Sequence, residues 1–65
     1  MFRNLDAEQK RFGLTNSDVA EILGISRHTY EKKKKTGNFN RAQVVLLLNL
    51  FECKFEYLFA ENTAS

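Results

Sequence analysis

Apolar residues recur three and four apart through most of this 65-residue chain, and single glycines and short polar residues break the pattern at helix-length intervals. The clearest stretch runs from Leu14 to Lys35. Thr15 begins a helix, with Asp18 at the third helical position giving an approximate capping box. Val19, Ala20, Ile22 and Leu23 then form an apolar stripe on one face. Gly24 ends this helix, because glycine enters the left-handed region without a steric penalty. Ile25 plugs the corner and Ser26 caps the next helix. The pattern therefore predicts helices over Asn16–Leu23 and from Arg27 to about Lys33, joined by a tight turn. That is the layout of a helix-turn-helix, whose second member can enter a DNA major groove.

The flanking segments read the same way. Met1–Phe12 is predicted as the first helix, burying Leu5, the aliphatic stem of Glu8 and Phe12, with Phe2 or Ala7 beside them. Asn4 or Asp6 is available to cap a later start, and Gly13 ends it. Tyr30 anchors the third helix, its hydroxyl reaching the rim. One turn on, the stripe wants a hydrophobe and finds Lys33 and Lys34, so the end of this helix is expected to be weakly anchored and to fray. Thr36–Phe39 is a turn pinned by Phe39. Asn40 and Gln43 have capping-box spacing for a fourth helix that is apolar almost all round from Val44 to Phe51. A buried strand over Val44–Leu48 is the alternative, but the cap and the length of about twelve residues favour helix. Cys53–Phe59 forms a last short helix, and residues 61–65 a flexible tail. The expectation is one all-α, five-helix domain over residues 1–60.

Composition narrows the function. A chain this short buries roughly 60% of its unfolded surface, so its core is thin. The net charge is only +2, but it is unevenly placed. Residues 1–25 carry −1 and residues 42–65 carry −2, whereas residues 26–41 set Arg27, Lys32–Lys35 and Arg41 against Glu31, a net +5. That concentration is the footprint of a phosphate-facing surface. The longest apolar run, Val44–Leu48, is far short of a membrane span. Met1–Arg11 has no apolar stretch of the signal-peptide kind.

His28 and Cys53 are the single histidine and single cysteine, and they belong to separate helices. Neither a Cys–His catalytic pair nor a metal site assembles from them. Cys53, between Phe51 and Phe55, reads as a small buried hydrophobe. Gly13, Gly24 and Gly37 are isolated helix-enders and make no nucleotide cradle. No cofactor, metal or catalytic residue is expected.

The nucleic-acid candidates fall into two classes. Arg27, His28, Glu31 and Lys32 occupy the first turns of the third helix, where side chains meet base edges; arginine is the usual bidentate reader of guanine. Glu31 can accept from cytosine, orient Lys32 or stay in solvent. Phosphate contacts would come from Thr15, Asn16, Lys33, Lys34, Lys35, Asn38, Asn40 and Arg41, two of these groups lying at helix N-termini. Phe51, Phe55, Tyr57 and Phe59 supply more apolar surface than so small a core needs and form the expected dimer or partner surface.

Taken together, Gly13-Leu14-Thr15-Asn16, Val19-Ala20, Leu23-Gly24-Ile25-Ser26-Arg27, Thr29-Tyr30 and Phe39-Asn40…Ala42 resemble the lambda-repressor-like domain of phage Cro and CI repressors. The resemblance covers about Arg3 to Phe59. It implies a five-helix, cytoplasmic regulator of a bacterial cell or phage-infected host, binding double-stranded operator DNA as a homodimer. The position of Asn16 is then usually a phosphate-contacting glutamine. Where the family places an apolar or aromatic residue, this chain has Lys33 or Lys34. The competing reading on the same fold is a protein–protein adaptor or anti-repressor.

Overall fold

Five helices account for most of residues 2–60, the part of the chain described by the computed structural model: α1 (Arg3–Arg11), α2 (Asn16–Leu23), α3 (Arg27–Thr36), α4 (Arg41–Phe51) and α5 (Phe55–Leu58). The all-α expectation holds, and Val44–Leu48 is helical. The expected tail over residues 61–65, and Met1, lie outside the described residues.

Local chemistry fixes most of the boundaries. At α2, Thr15 Oγ1 accepts from the Asp18 N–H at 3.1 Å while Asp18 Oδ2 accepts from the Thr15 N–H at 2.9 Å, so the capping box is complete. Those bonds hold the Asp18 carboxyl below its ordinary pKa, the Thr15 backbone N–H contributing most. Ser26 caps α3, and Asn40 with Gln43 forms a second full box at α4. Gly24 and Gly37 end α2 and α3 at φ 74° and 75°. The helix α4 ends on Glu52, a non-glycine residue at φ 52°. At α1, neither Asn4 nor Asp6 caps; Phe2 stands at that position with no side-chain cap bond. Asn4 instead donates to the Tyr57 carbonyl at 2.8 Å, tying α1 to α5.

Phe2, Leu5, Val19, Ala20, Tyr30, Leu47, Phe51 and Leu58 are buried and make the core, with Leu14, Leu23, Ile25 and Phe39 among those packed on its edge. A file of rings runs through it. Tyr30 meets Phe39, Phe39 meets Phe59 edge-on at 5.8 Å, and Phe59 meets Phe2 at 5.6 Å. Edge-to-face pairs of this kind are favoured by the ring quadrupoles. Phe39 does pin its loop as expected. Cys53 is half-buried rather than enclosed, its thiol donating to the Phe51 carbonyl.

Two apolar expectations, for Ile22 and Phe12, are corrected. Ile22 is 45% exposed, because α2 turns Val19, Ala20 and Leu23 to the core and leaves Ile22 on its outer side. Phe12 stays at the surface, its edge on Phe51. The helix α4 is apolar all round but buried on one side only, leaving Val45 48% exposed and Leu46 similarly open. Phe51 faces the opposite way and is fully buried, so it leaves the expected partner surface.

The largest correction concerns α3. It does not stop near Lys33 but runs to Thr36, because Lys34 anchors it from inside. The Lys34 side chain is 16% exposed. Its Nζ donates to Asp6 Oδ1 at 3.0 Å, Asn16 Oδ1 at 3.1 Å and Gln9 Oε1 at 3.3 Å. Gln9 Oε1 also accepts from the Tyr30 hydroxyl at 2.8 Å, and Gln9 Nε2 donates to Asn16 Oδ1 at 2.9 Å. The Tyr30 hydroxyl is therefore buried rather than at the rim, and burial raises its pKa strongly. Three acceptors satisfy the three N–H donors of one ammonium. An apolar anchor has been replaced by a paired polar one.

The Lys34 hydrogen bond is the main cause of a lowered Asp6 pKa, opposed by desolvation and aided by Lys10. A folded pKa below the unfolded value stabilises the fold above about the ordinary 3.8, and that contribution is lost as pH falls through the depressed value. Lys34→Met is expected to be less stable than the parent at neutral pH by on the order of 1–2 kcal/mol. In urea titrations from pH 6 to pH 2, that gap should narrow through the Asp6 window; a constant gap would place the lysine's partner elsewhere. A second expectation concerns Gly37, where an added Cβ would lie 2.5 Å from Phe2 Cζ, whereas one at Gly13 meets nothing within 4 Å. Both positions carry the left-handed penalty of about 1–2 kcal/mol for alanine. Gly37→Ala should lose about 1–3 kcal/mol more than Gly13→Ala through overpacking; equal urea midpoints would contradict the Phe2–Gly37 contact.

Candidate nucleic-acid interface

The helix period sorts α3 into two sides. Tyr30 and Lys34, one turn apart, face the core, which turns His28, Lys32 and Lys35 outward. Arg27, His28, Lys32 and Lys35 are all exposed. The positions expected to read bases are thus presented to solvent, except that Glu31 is half-buried on the flank toward α2. Glu31 Oε2 accepts from Asn16 Nδ2 at 3.1 Å and lies 3.7 Å from Arg27 Nε. Its carboxylate is thus turned toward Asn16 and Arg27, neither of which was among the roles the sequence offered for Glu31.

The lysine run divides. Lys34 is spent on the internal network. Lys33 is half-buried and its ammonium donates to the Asn38 carbonyl at 2.8 Å, which braces the turn after α3. Lys32 and Lys35 remain exposed. Uniform phosphate contact by all three of Lys33, Lys34 and Lys35 does not fit this arrangement, because moving Lys34 to a phosphate would strip Asp6, Gln9 and Asn16 of a shared donor.

Around α3, the start of α2 offers Thr15, exposed, and Asn16, half-buried. Three of the four hydrogen-bonding positions of the Asn16 carboxamide are taken, its oxygen by Gln9 and Lys34 and one N–H by Glu31. The phosphate contact expected of Asn16 would fall to the second N–H of Nδ2 or would break one of these bonds. The start of α4 offers Asn38, Asn40 and Arg41, all exposed. Its capping box is neutral, with Gln43 where α2 has the charged Asp18. The positive end of the α4 dipole, with Arg41 beside it, is the less opposed of the two for an anion.

Of the expected partner surface, Phe55 and Tyr57 are exposed, at 53% and 45%. Phe59 is half-buried in the file of rings, and Phe51 is enclosed. The Tyr57 hydroxyl donates to Glu8 Oε2 at 3.1 Å, and Arg11 pairs with the other Glu8 oxygen at 3.0 Å. Among the described residues no helix is long and apolar enough to cross a membrane.

Gln9 is the residue that sequence reasoning missed. It follows Phe2 and Leu5 at helical spacing and lies on the buried side of α1. That spacing was visible, but a glutamine on an apolar stripe gives no clue to partners seven to twenty-five residues away.

Comparison with curated proteins and with solved structures finds no match. Comparison with family descriptions matches the antitoxin Xre-like helix-turn-helix domain over residues 2–52, which takes in α1 to α4 and stops short of α5. The likeness to Cro and CI repressors holds at the level of the shared helix-turn-helix. By this match over most of its length, the chain belongs to the antitoxin Xre-like family of helix-turn-helix DNA-binding domains.

Proposed function

We propose that this domain is a sequence-specific double-stranded DNA-binding transcriptional regulator that represses by occupying an operator and performs no chemistry. The supporting observation is the division of α3, which turns Arg27, His28, Lys32 and Lys35 outward while Tyr30 and Lys34 hold it to the body. Arg27, His28 and Lys32 read base edges. Lys35, Arg41, Asn38, Asn40 and Thr15 take backbone phosphates, with Lys33 free to join them when it releases the Asn38 carbonyl. A Cro- or CI-like phage or prophage repressor is one form of this function, and the DNA-binding half of an antitoxin is another. One copy offers few contacts, so two copies reading half-sites about one DNA turn apart form the working unit. The pairing surface draws on Phe55 and Tyr57, with Val45 and Leu46 as further exposed apolar side chains.

The second reading follows from the antitoxin description of the family. In it, the exposed Val45, Leu46, Phe55 and Tyr57 side chains meet a protein, a toxin or another regulator, instead of a second copy. Sedimentation separates the two: self-association that is lost in Phe55→Ser supports the dimer, and a strict monomer both free and on DNA leaves the surface to a different partner.

Selection from random duplexes at near-physiological salt tests the reading of DNA. The parent should enrich a defined site, and Arg27→Ala should relax preference at particular base positions by about 1–3 kcal/mol. A phosphate-contacting Lys35 contributes about 0.9 to the slope of log affinity against log salt. Lys35→Ala should therefore flatten that slope by about this amount, weakening all duplexes alike, while folded Lys34→Met leaves the slope unchanged. Equal slopes for the parent and Lys35→Ala would remove Lys35 from the backbone contacts.

A further inference from the structure

Asn16 stands where the family resemblance puts a phosphate contact, yet three of its four hydrogen-bonding positions are spent on α1 and α3. Gln9 Nε2 and Lys34 Nζ both donate to Oδ1, so the orientation of the carboxamide is fixed and Nδ2 can only point the other way. There it meets Glu31 Oε2. The same Glu31 oxygen lies 3.7 Å from Arg27 Nε. A guanidinium carries one donor on Nε and four on its terminal nitrogens, and bidentate recognition of guanine is satisfied by two of these five. A carboxylate on the Nε side leaves the terminal nitrogens free and limits how the planar fork can turn. The exposed Arg27–Glu31 pair adds little stability by itself, since such pairs are worth about 0–1 kcal/mol; its effect is on direction.

We propose that Gln9, Lys34, Asn16 and Glu31 form a relay that aims the Arg27 guanidinium at a base, with Asn16 a positioning residue rather than a phosphate ligand and Glu31 its carboxylate arm rather than a reader of cytosine. This rests on the reading of DNA through α3. Asn16 and Glu31 then determine base preference without touching DNA. Because α1 supplies Gln9, the first helix takes part in setting what the third one reads.

The test compares Asn16→Ala, Glu31→Gln and Arg27→Ala, singly and with Arg27→Ala combined with each of the others, in duplex selection and in NMR of the free protein. Asn16→Ala removes support from a buried network and can unfold the chain. Glu31→Gln leaves every buried partner in place and carries the test if it does. Both single variants should reduce discrimination at the one base position that Arg27→Ala also relaxes, by about twofold to tenfold. Neither should reduce it further when Arg27 is already alanine. In the free parent, the Arg27 Nε chemical shift should report the nearby Glu31 carboxylate, and it should move toward the value of a solvated arginine in Glu31→Gln.

Three results overturn the relay. Asn16→Ala could weaken all duplexes equally and additively with Arg27→Ala, as a phosphate ligand does. Glu31→Gln could shift preference at a different base position, as a direct reader does. Or the Arg27 Nε chemical shift could be the same in the parent as in Glu31→Gln. If instead the parent prefers no duplex while its Nε shift does sense Glu31, the DNA reading fails and not the ion-pair geometry.

Discussion

The ammonium of Lys34 holds three helices to one point. Its acceptors come from α1, through Asp6 and Gln9, and from the first residue of α2, through Asn16, while its own chain belongs to α3. Taking a charge this far out of water is costly unless every donor is paired, and here each N–H has an acceptor. Among the described residues no buried side-chain polar atom lacks a partner. The aliphatic stem still packs as a hydrophobe would, and the ammonium sits 5.4 Å from the centre of the Tyr30 ring. What the polar anchor adds is direction. A leucine in that place would tolerate a range of helix angles, whereas an ammonium bonded to three fixed oxygens tolerates few. In a domain with so thin a core, that constraint substitutes for packing depth.

Much of the fold was legible because its signals are local. Thr15 with Asp18, Ser26, Asn40 with Gln43, and the glycines after α2 and α3 each act within four residues, and all of them stand where the sequence put them. The end of α3 was not legible. Four consecutive lysines look like solvated surface, and nothing in Lys32–Lys35 marks the one that turns inward. Its partners are 18 to 28 residues away, so only the folded chain brings them together. The same holds for α4: an apolar surface all round does not say which side meets the core, and Leu47 and Phe51 took that side while Val45 and Leu46 did not.

Which candidate side chains stand exposed was legible only in part, for a related reason. A charge count treats all cations as equal contributors to a phosphate-facing surface. Of the five cations on α3, one is structural, one braces a turn, and one is paired to Glu31; Lys32 and Lys35 are the exposed lysines. The positive segment is therefore less a field than a scaffold with a few cations set at its outer edge. Affinity from phosphates grows with the number of free cations, so under the proposed function a scaffold of this kind would give up affinity per copy and lean on base contacts or on a second copy.

The inward and outward faces of α3 are not independent. Tyr30 and Lys34 alternate along the helix with His28, Lys32 and Lys35, and Glu31 lies between the two sets, bonded to the network on one side and close to Arg27 on the other. If the relay holds, a change on the buried side at Gln9 or Asn16 alters both how firmly α3 is seated and where Arg27 points. Under the proposed relay, substitutions that a larger domain would register as stability alone would register here as altered recognition too. That coupling follows from size: with ten residues in α3 and one core to share, there is no second layer of structure to keep the two tasks apart.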